Sequence, residues 1–149
     1  MDVTATGNSI QKTSGCEGCD AGATSQQQIT SGDGYIEFTI GETNTLRYAG
    51  LGHGNTNANY ADIDFAFRIS DNAGYADIVE NGVQRPGSDF TYAAGDVLRV
   101  AVEAGVVKYR QNGALKWTST VAPAYPLLLD TSLASLGATI NNAVISGAQ

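Results

Sequence analysis

Several short segments of the chain alternate between apolar and polar residues, and the clearest of them runs from Ala61 to Ile69. Successive side chains of a strand point to opposite faces, so this pattern predicts a β-strand with one buried and one solvated face. The predicted buried positions are Ile63, Phe65, Phe67 and Ile69, and the predicted solvated positions are Asp62, Asp64, Ala66 and Arg68. The segments Tyr35–Ile40 and Val97–Glu103 follow the same pattern, with Ile36, Phe38, Ile40, Leu98, Val100 and Val102 as buried positions.

Turn-forming residues separate these segments at short intervals. Examples are Gly32-Asp33-Gly34, Asn81-Gly82, Arg85-Pro86-Gly87, Gly95-Asp96 and Asn112-Gly113. No window carries the apolar stripe of an amphipathic helix, and two more strands are expected at Tyr125–Asp130 and Gly137–Ser146. We therefore predict an all-β fold with a single domain over residues 1–149, a two-sheet antiparallel β-sandwich of about a dozen short strands.

The segment from Val106 to Ser119 predicts a hairpin, and its turn decides which residues pair. A two-residue turn at Asn112-Gly113 would set Arg110 beside Leu115 and mix charged with apolar side chains on one face. A three-residue turn with Gly113 in a bulge position pairs Tyr109 with Leu115 instead. We expect the second register, which places Val107, Tyr109, Leu115 and Trp117 together on the core face.

The charge balance excludes some classes of partner. The 149 residues include 18 Gly, 8 Lys and Arg, and 15 Asp and Glu, for a formal net charge of −7. Because the few basic residues form no stripe, we expect neither nucleic acid nor an anionic membrane surface as a partner. The longest uncharged stretch near an apolar run, Trp117 to Leu129, contains two prolines and falls short of the ~20 apolar residues that span a bilayer, so we expect no membrane insertion.

Several segments resemble the concanavalin A-like lectin/glucanase superfamily, and within it bacterial secreted modules with SPRY-like sequence. They are Gly32–Phe38, Tyr60–Arg68, Ala94–Val102, Val107–Tyr109 with Asn112-Gly113, Tyr125–Asp130 and the closing strand from Gly137 to Gly147. The resemblance covers most of the chain, but the motifs are structural and say nothing about the ligand. It implies a jelly roll in an extracellular or cell-surface setting. Relatives of this shape mostly bind carbohydrate, some bind peptides, and one branch cleaves β-glucans.

The glucanase branch carries E-x-D-x-E or E-x-D-x-x-E on one strand, because a retaining glycosidase needs two carboxyl groups about 5–5.5 Å apart. The matching segment here begins at Asp62, where the branch has Glu, and places Ala66 or Phe67 where the branch has its acid. One carboxylate is therefore missing, and we predict that the chain is not an enzyme.

A lectin-like site is the leading hypothesis. Asp62, Asp64 and Arg68 lie on the polar face of one predicted strand and could bind sugar hydroxyls; the alternative is a solvated, ion-paired face. Tyr48, His53 and Tyr60 flank the polar loop from Gly52 to Asn59, and loops often carry recognition. The predicted partner is a polysaccharide or glycan that lies on the concave face. The second hypothesis is a structural or adhesive module that binds proteins or itself through exposed edge strands. The third is a degenerate glucanase.

Two further groups of residues offer chemistry. Cys16 and Cys19 are too few for a four-ligand zinc site, which leaves a local disulfide or two thiols, and we expect the disulfide. Calcium is an open alternative, since the chain has six aspartates that offer hard oxygen ligands but no D-x-D-x-D-G loop that groups them. They are Asp33, Asp62, Asp64, Asp71, Asp77 and Asp130.

Overall fold

The alternating segments fold into strands in the computed structural model, which describes residues 2–72 and 74–148. Fourteen strands are found there, together with one 3-10 turn at Tyr60–Asp62. They are β1 (Val3–Thr6), β2 (Ser9–Lys12), β3 (Thr24–Ile29), β4 (Gly34–Thr39), β5 (Arg47–Gly52), β6 (Phe65–Ile69), β7 (Tyr75–Glu80), β8 (Val83–Gln84), β9 (Phe90–Thr91), β10 (Val97–Glu103), β11 (Val106–Gln111), β12 (Ala114–Thr118), β13 (Leu127–Leu133) and β14 (Thr139–Gly147). Within the described ranges, no helix has the length and apolar character that a membrane span requires.

The strands form two antiparallel sheets, which confirms the predicted all-β sandwich. Sheet I has the order β1-β2-β14-β4-β10-β11-β12. Sheet II has the order β3-β13-β5-β6-β7-β8, and β9 also pairs with β7. The core lies between the sheets and centres on Phe67, whose ring makes edge contacts with Phe38, Phe90 and Tyr109 at centroid distances of 6.2, 5.8 and 5.3 Å. The six buried positions predicted in β4 and β10 and at Ile40 are all buried.

The predicted register of the hairpin is wrong. Asn112 and Gly113 both have positive φ, 50° and 85°, and form the two-residue turn, so Arg110 lies opposite Leu115. A bulge next to this pair then shifts the register and brings Tyr109 opposite Trp117. As a result Tyr109 and Trp117 pack against the core, whereas Leu115 is 49% exposed.

The predicted strand Ala61–Ile69 is shorter than expected. Its first residues belong to the 3-10 turn, and β6 begins at Phe65. Phe65, Phe67 and Ile69 do face the core, but Ile63 packs on the other side of sheet II, against Tyr48, Ala66 and Val79. Apolar residues alternate with other residues along the whole segment, but its first part forms the 3-10 turn and only its second part forms β6. Asp62 therefore does not share a strand face with Arg68.

The segment that follows β2 is fastened in two ways. The Sγ atoms of Cys16 and Cys19 are in contact and their Cα atoms lie 5.3 Å apart, a separation typical of a disulfide. Lys12, only 1% exposed, donates from Nζ to the carbonyl oxygens of Cys16, Cys19 and Ala134. All three ammonium hydrogens are therefore used, and this buried lysine holds the disulfide loop against the end of β13.

Candidate functional site

The outer face of sheet II, which points away from the core, carries two of the predicted site residues, Tyr48 and Arg68. Residues paired directly across antiparallel strands share a face. Tyr48 pairs with Ser132 on one side and with Arg68 on the other, and Arg68 in turn pairs with Asp77. Gly50 pairs with Asp130 and with Ala66 in the same way. The face therefore carries a row of polar groups across β13, β5, β6 and β7.

A connecting segment, residues 53–63, folds back over the middle of this face. The ring of Tyr60 stacks on the ring of Tyr48 with a centroid distance of 4.6 Å and an interplanar angle of 13°. Ile63 packs beside them on Ala66 and Val79. Two clefts lie on this side of the molecule. One is lined by residues of β6 and β7, and we name it the Arg68 cleft. The other is lined by Asp130 of β13 and by residues 55–58 of the connecting segment, and we name it the Asp130 cleft.

The Arg68 cleft has a volume of about 380 Å³ and a polar lining. It is lined by Arg68, Ser70, Asn72, Tyr75, Ala76, Asp77, Gln84 and Asp89. Arg68 donates from Nε to Asp77 Oδ1 at 2.9 Å and from Nη2 to Asp77 Oδ2, a bidentate pair. The Asp77 side chain is buried, but 39% of the Arg68 side chain is exposed. Tyr75 is 51% exposed on the same face, so the cleft combines an accessible ring with oriented polar groups.

The turn from β6 to β7 positions this cleft. Ser70 donates its backbone N–H to the Tyr75 carbonyl at 3.0 Å, and the hydroxyl of buried Tyr92 donates to the Ser70 carbonyl at 2.7 Å. Gly74, with φ of +81°, lies against the Tyr92 backbone, where an added Cβ would be 2.8 Å from the carbonyl oxygen. A tight turn backed by Tyr92 thus fixes the start of β7 and with it the ring of Tyr75.

The Asp130 cleft has a volume of about 360 Å³. It is lined by Asp2, Asp20, Ala21, Gly22, Ala23, Asn55, Thr56, Asn57, Ala58, Asp130 and Thr131. Asp130 is 2% exposed; its Oδ1 accepts from Thr131 N at 2.8 Å, but its Oδ2 accepts no hydrogen bond from the described residues. Burial, aided by the charges of Asp62 and Asp64, raises the pKa of Asp130 to about 7. Ser132 Oγ, next on the same face, also lacks a partner among the described residues.

Asp62 organises the covering segment. Its carboxylate accepts from Thr56 Oγ1 at 2.6 Å, from Thr56 N at 2.7 Å and from Asn57 N at 3.5 Å. The hydrogen bond from the Thr56 hydroxyl is the main reason that the pKa of Asp62 lies below its ordinary value. Asn59 ties the segment to the N-terminal region by donating from Nδ2 to Asp20 Oδ2 at 2.8 Å. The carboxylate of Asp62 therefore holds this loop in place, and its contact with a sugar stays a prediction.

The six predicted ligand residues do not form one set. Arg68 lines its own cleft, and Tyr48 and Tyr60 form the stack beside it. Asp62 and His53 lie in the covering segment, where His53 is exposed and its Nδ1 is 3.1 Å from Pro126 O. Asp64 is half-buried, and burial raises its pKa above the ordinary value.

Arg68 is the one residue lining its cleft that belongs to the predicted sugar-binding set, and three of the others, like Asp130, offer polar or aromatic groups that the prediction missed. The three are Tyr75, Asp77 and Gln84. A signal for two of them exists in the sequence, because Tyr75 and Asp77 are two positions apart in a strand and must share a face. No sequence pattern indicates that residues 53–63 fold over Asp130.

The predicted calcium ligands are dispersed. Asp33 Oδ1 accepts from Ala104 N at 2.9 Å, Asp77 is paired with Arg68, and Asp71 is exposed. The charges of Asp62 and Asp64 help to raise the pKa of Asp130, and the charge of Asp62 helps to raise the pKa of Asp64. Over residues 2–72 and 74–148, no group of three or more His, Cys, Asp or Glu side chains is placed to hold a metal ion. The two positions compared with the glucanase acid, Ala66 and Phe67, are both fully buried.

Comparisons with known proteins place the fold. No protein-family model and no curated protein matches the sequence. The SPRY domain of human HERC1 has a TM-score of 0.68 at 15% identity over 100% of this chain and 94% of that chain. The carbohydrate recognition domain of Emp46p gives 0.68 at 11% identity (99% and 86%), and the β-glucanase of Bacillus licheniformis gives 0.62 at 11% (99% and 83%). Such low identities show the fold alone, a two-sheet jelly roll, and this fold agrees with the one predicted from the sequence.

Proposed function

We propose that this chain is a non-catalytic carbohydrate-binding module and that the Arg68 cleft is its sugar site. The observation that carries the proposal is the bidentate Arg68–Asp77 pair, which opens into a cleft beside the exposed ring of Tyr75. A pyranose presents hydroxyls that both donate and accept, and an apolar C–H face that packs on an aromatic ring. Sites for such ligands combine a few oriented polar groups with aromatic surface.

The pair itself suits this role. Asp77 orients the guanidinium, while the exposed part of Arg68 retains donors for a ligand oxygen. Gln84 of β8 lies opposite Val79 of β7. Its amide, at the far side of the cleft, can donate and accept hydrogen bonds. The fold is one that a carbohydrate recognition domain also has, which supports the proposal. A secreted or cell-surface setting is part of it, since disulfides such as Cys16–Cys19 persist in oxidising compartments.

Titration with a panel of soluble polysaccharides, followed by calorimetry on each positive, tests the proposal. We expect Tyr75→Ala to weaken binding about tenfold, equivalent to ~1.4 kcal/mol, because the platform is lost while the buried pair remains intact. Gln84→Ala should weaken it by a smaller factor. Tyr35→Ala is the matched control, since Tyr35 lies on the outer face of sheet I, where its ring contacts Arg99.

Three results would contradict the proposal. The first is no binding across the panel by a protein with an intact circular dichroism spectrum. The second is equal loss of affinity in Tyr35→Ala and Tyr75→Ala. The third is release of reducing sugar from a bound β-glucan, which would show the module to be a hydrolase.

A second candidate function rests on the edge of sheet I. Strand β12 is the last strand of that sheet, and most of its side chains are exposed, with Leu115 at 49%. An exposed edge strand can pair with a strand from another chain, which favours a protein-binding or self-assembling module. Light scattering over a range of concentrations separates the two functions: a monomer at every concentration argues against self-assembly through β12.

A further inference from the structure

The described residues that line the Asp130 cleft include three carboxylates and no basic side chain. Asp130 is 2% exposed, and its Oδ2 accepts no hydrogen bond from the described residues. Asp2 and Asp20 line the same cleft and are exposed. Their hydrogen-bond donors are neutral: Ser14 Oγ lies 2.9 Å from Asp2 Oδ1, and Asn59 Nδ2 lies 2.8 Å from Asp20 Oδ2. No ion pair within residues 2–72 and 74–148 involves any of the three carboxylates, so the cleft attracts a cation.

The size of the cleft and the spacing of its acids favour an organic cation over a metal ion. A metal ion needs several oxygen ligands within about 2.0–2.6 Å of one point. No three His, Cys, Asp or Glu side chains in the described part of the chain are grouped in this way. The volume of about 360 Å³ lies instead in the range of sites for small organic molecules. An ammonium group on such a molecule carries three N–H donors, which suit carboxylate, hydroxyl and amide oxygens alike.

A buried ammonium group already exists elsewhere in this fold. Lys12 is 1% exposed, and its Nζ donates to three backbone carbonyl oxygens, which use all of its hydrogens. At Asp130 the situation is reversed, because a buried acceptor is present and its donor is missing. Burial of an unpaired carboxylate is costly, and a donor that reaches Oδ2 removes that cost. Asp130 lies opposite Gly50, which has no side chain to fill the space beside it.

We propose that the Asp130 cleft binds a small aliphatic diamine, with one ammonium group paired with buried Asp130 and the other with the exposed acids Asp2 and Asp20. The carboxylates lie at two depths, which fits a ligand with a charge at each end. The lining also has methyl groups that can contact the CH₂ chain, from Ala21, Ala23 and Ala58. The proposal is independent of the sugar site, because the Arg68 cleft and the Asp130 cleft share no lining residue.

Calorimetric titration with 1,4-diaminobutane tests the proposal. At about 150 mM NaCl the Debye length is ~8 Å, so loose attraction of a dication to an acidic protein is largely screened. We expect one diamine per chain. Butylamine, which has one ammonium group, should bind at least about fivefold more weakly, and 1,4-butanediol, which has no charge, should give no binding heat.

Substitution of the acids identifies the site. Asp130→Asn keeps the shape of the side chain and removes a buried charge, so it should fold and should weaken the Kd for 1,4-diaminobutane at least tenfold. Asp20→Asn, at an exposed position, should weaken it about two- to fivefold. Asp71→Asn is the matched control, because Asp71 is exposed and does not line the cleft, and it should leave the Kd within about twofold.

The pH dependence separates the buried acid from the exposed ones. Burial, aided by the charges of Asp62 and Asp64 in the covering segment, raises the pKa of Asp130 to about 7. A cation binds the ionised form, so the Kd should be about tenfold weaker near pH 6 than near pH 8. A carboxylate with the reference pKa near 3.9 is ionised at both, and an alkylammonium with a pKa near 10.4 stays protonated.

Four results would overturn the proposal. The first is no binding heat from 1,4-diaminobutane up to about 10 mM, well above a Kd that would already be weak. The second is an Asp71→Asn variant that loses as much affinity as Asp130→Asn or Asp20→Asn. The third is a wild-type Kd that is the same near pH 6 and pH 8. The fourth is displacement of the diamine by about 1 mM CaCl₂, which would assign the cleft to a metal ion.

Discussion

Removal of the Tyr109 hydroxyl tests how much a hydrogen bond to a buried carboxylate stabilises the core of this sandwich. Tyr109 is fully buried, and its hydroxyl donates to Glu80 Oε2 at 2.8 Å. The other oxygen of Glu80 accepts from Arg85 Nε at 2.9 Å, and the carboxylate is only 1% exposed. Burial, together with the neighbouring negative charge, raises the pKa of Tyr109 well above its ordinary value, so the hydroxyl remains a donor. Tyr109 and Arg85 thus each donate a side-chain hydrogen bond to the buried carboxylate of Glu80, at the end of β7.

Tyr109→Phe removes this donor and changes little else in the shape of the core. A hydrogen bond to a charged group contributes about 1.5–3 kcal/mol, and we expect a loss of free energy of unfolding in this range. Urea unfolding at pH 7 measures it as a lower midpoint with an unchanged m-value. Tyr75→Phe, on an exposed ring, is the control and should stay within about 0.5 kcal/mol of the wild type.

A double-mutant cycle with Glu80→Gln isolates the interaction. If the cost of Tyr109→Phe arises from the charge of Glu80, it should fall by about 1 kcal/mol or more once the carboxylate is an amide. Two results would show that this hydrogen bond does not stabilise the fold as expected: a Tyr109→Phe variant within about 0.5 kcal/mol of the wild type, or strictly additive effects of the two substitutions.

Two further predictions concern a glycine in sheet II and an acid that lies just before β10. Gly50→Ala should lower stability by about 3 kcal/mol or prevent folding, since its Cβ would lie 1.8 Å from the Phe65 carbonyl oxygen; Gly87→Ala, with open space but positive φ, should cost about 1 kcal/mol in the same urea assay. Partial burial raises the pKa of Asp96, but three hydrogen bonds outweigh this and leave the pKa below its ordinary value. A lowered pKa stabilises the fold above the unfolded-state pKa near 3.9, so this contribution should disappear as the pH falls from about 4 towards 2, and Asp96→Asn should flatten that part of the profile. An unchanged acid profile in Asp96→Asn would contradict the assignment. The donors to Asp96 are Ala93 N, Gln111 Nε2 and Asn112 Nδ2.

Local alternation predicted the core because it reports directly on which side of a strand a residue lies. Ile36 and Phe38 in β4 and Leu98 in β10 are all buried as expected. The register of the hairpin was predicted wrongly for a different reason. The prediction assumed that a two-residue turn would exclude Trp117 from the core face. The bulge next to Arg110 allows both at once.

The candidate site was harder to predict, because it depends on a segment that leaves its strand. The alternating pattern predicted that Asp62 and Arg68 lie on one face of a single strand. The chain instead forms a 3-10 turn at Tyr60–Asp62, and β6 begins only after it. The burial of Asp130 without a hydrogen-bond donor to Oδ2 among the described residues could not be predicted from the sequence either. It arises from residues more than sixty positions earlier that cover the sheet, and no local pattern encodes such a contact.

The stack of Tyr60 on Tyr48 has a consequence for how long a ligand can be. Tyr48 lies opposite Arg68 on the neighbouring strand and carries the ring of Tyr60 stacked on its own, so we expect a polysaccharide in the Arg68 cleft to meet these two rings on the side of β5. A site closed on one side receives the terminus of a polymer more readily than its interior. If the cleft binds sugar as proposed, the amount bound should follow the number of chain ends, and a given mass of polysaccharide should bind more protein after it has been cut into shorter pieces.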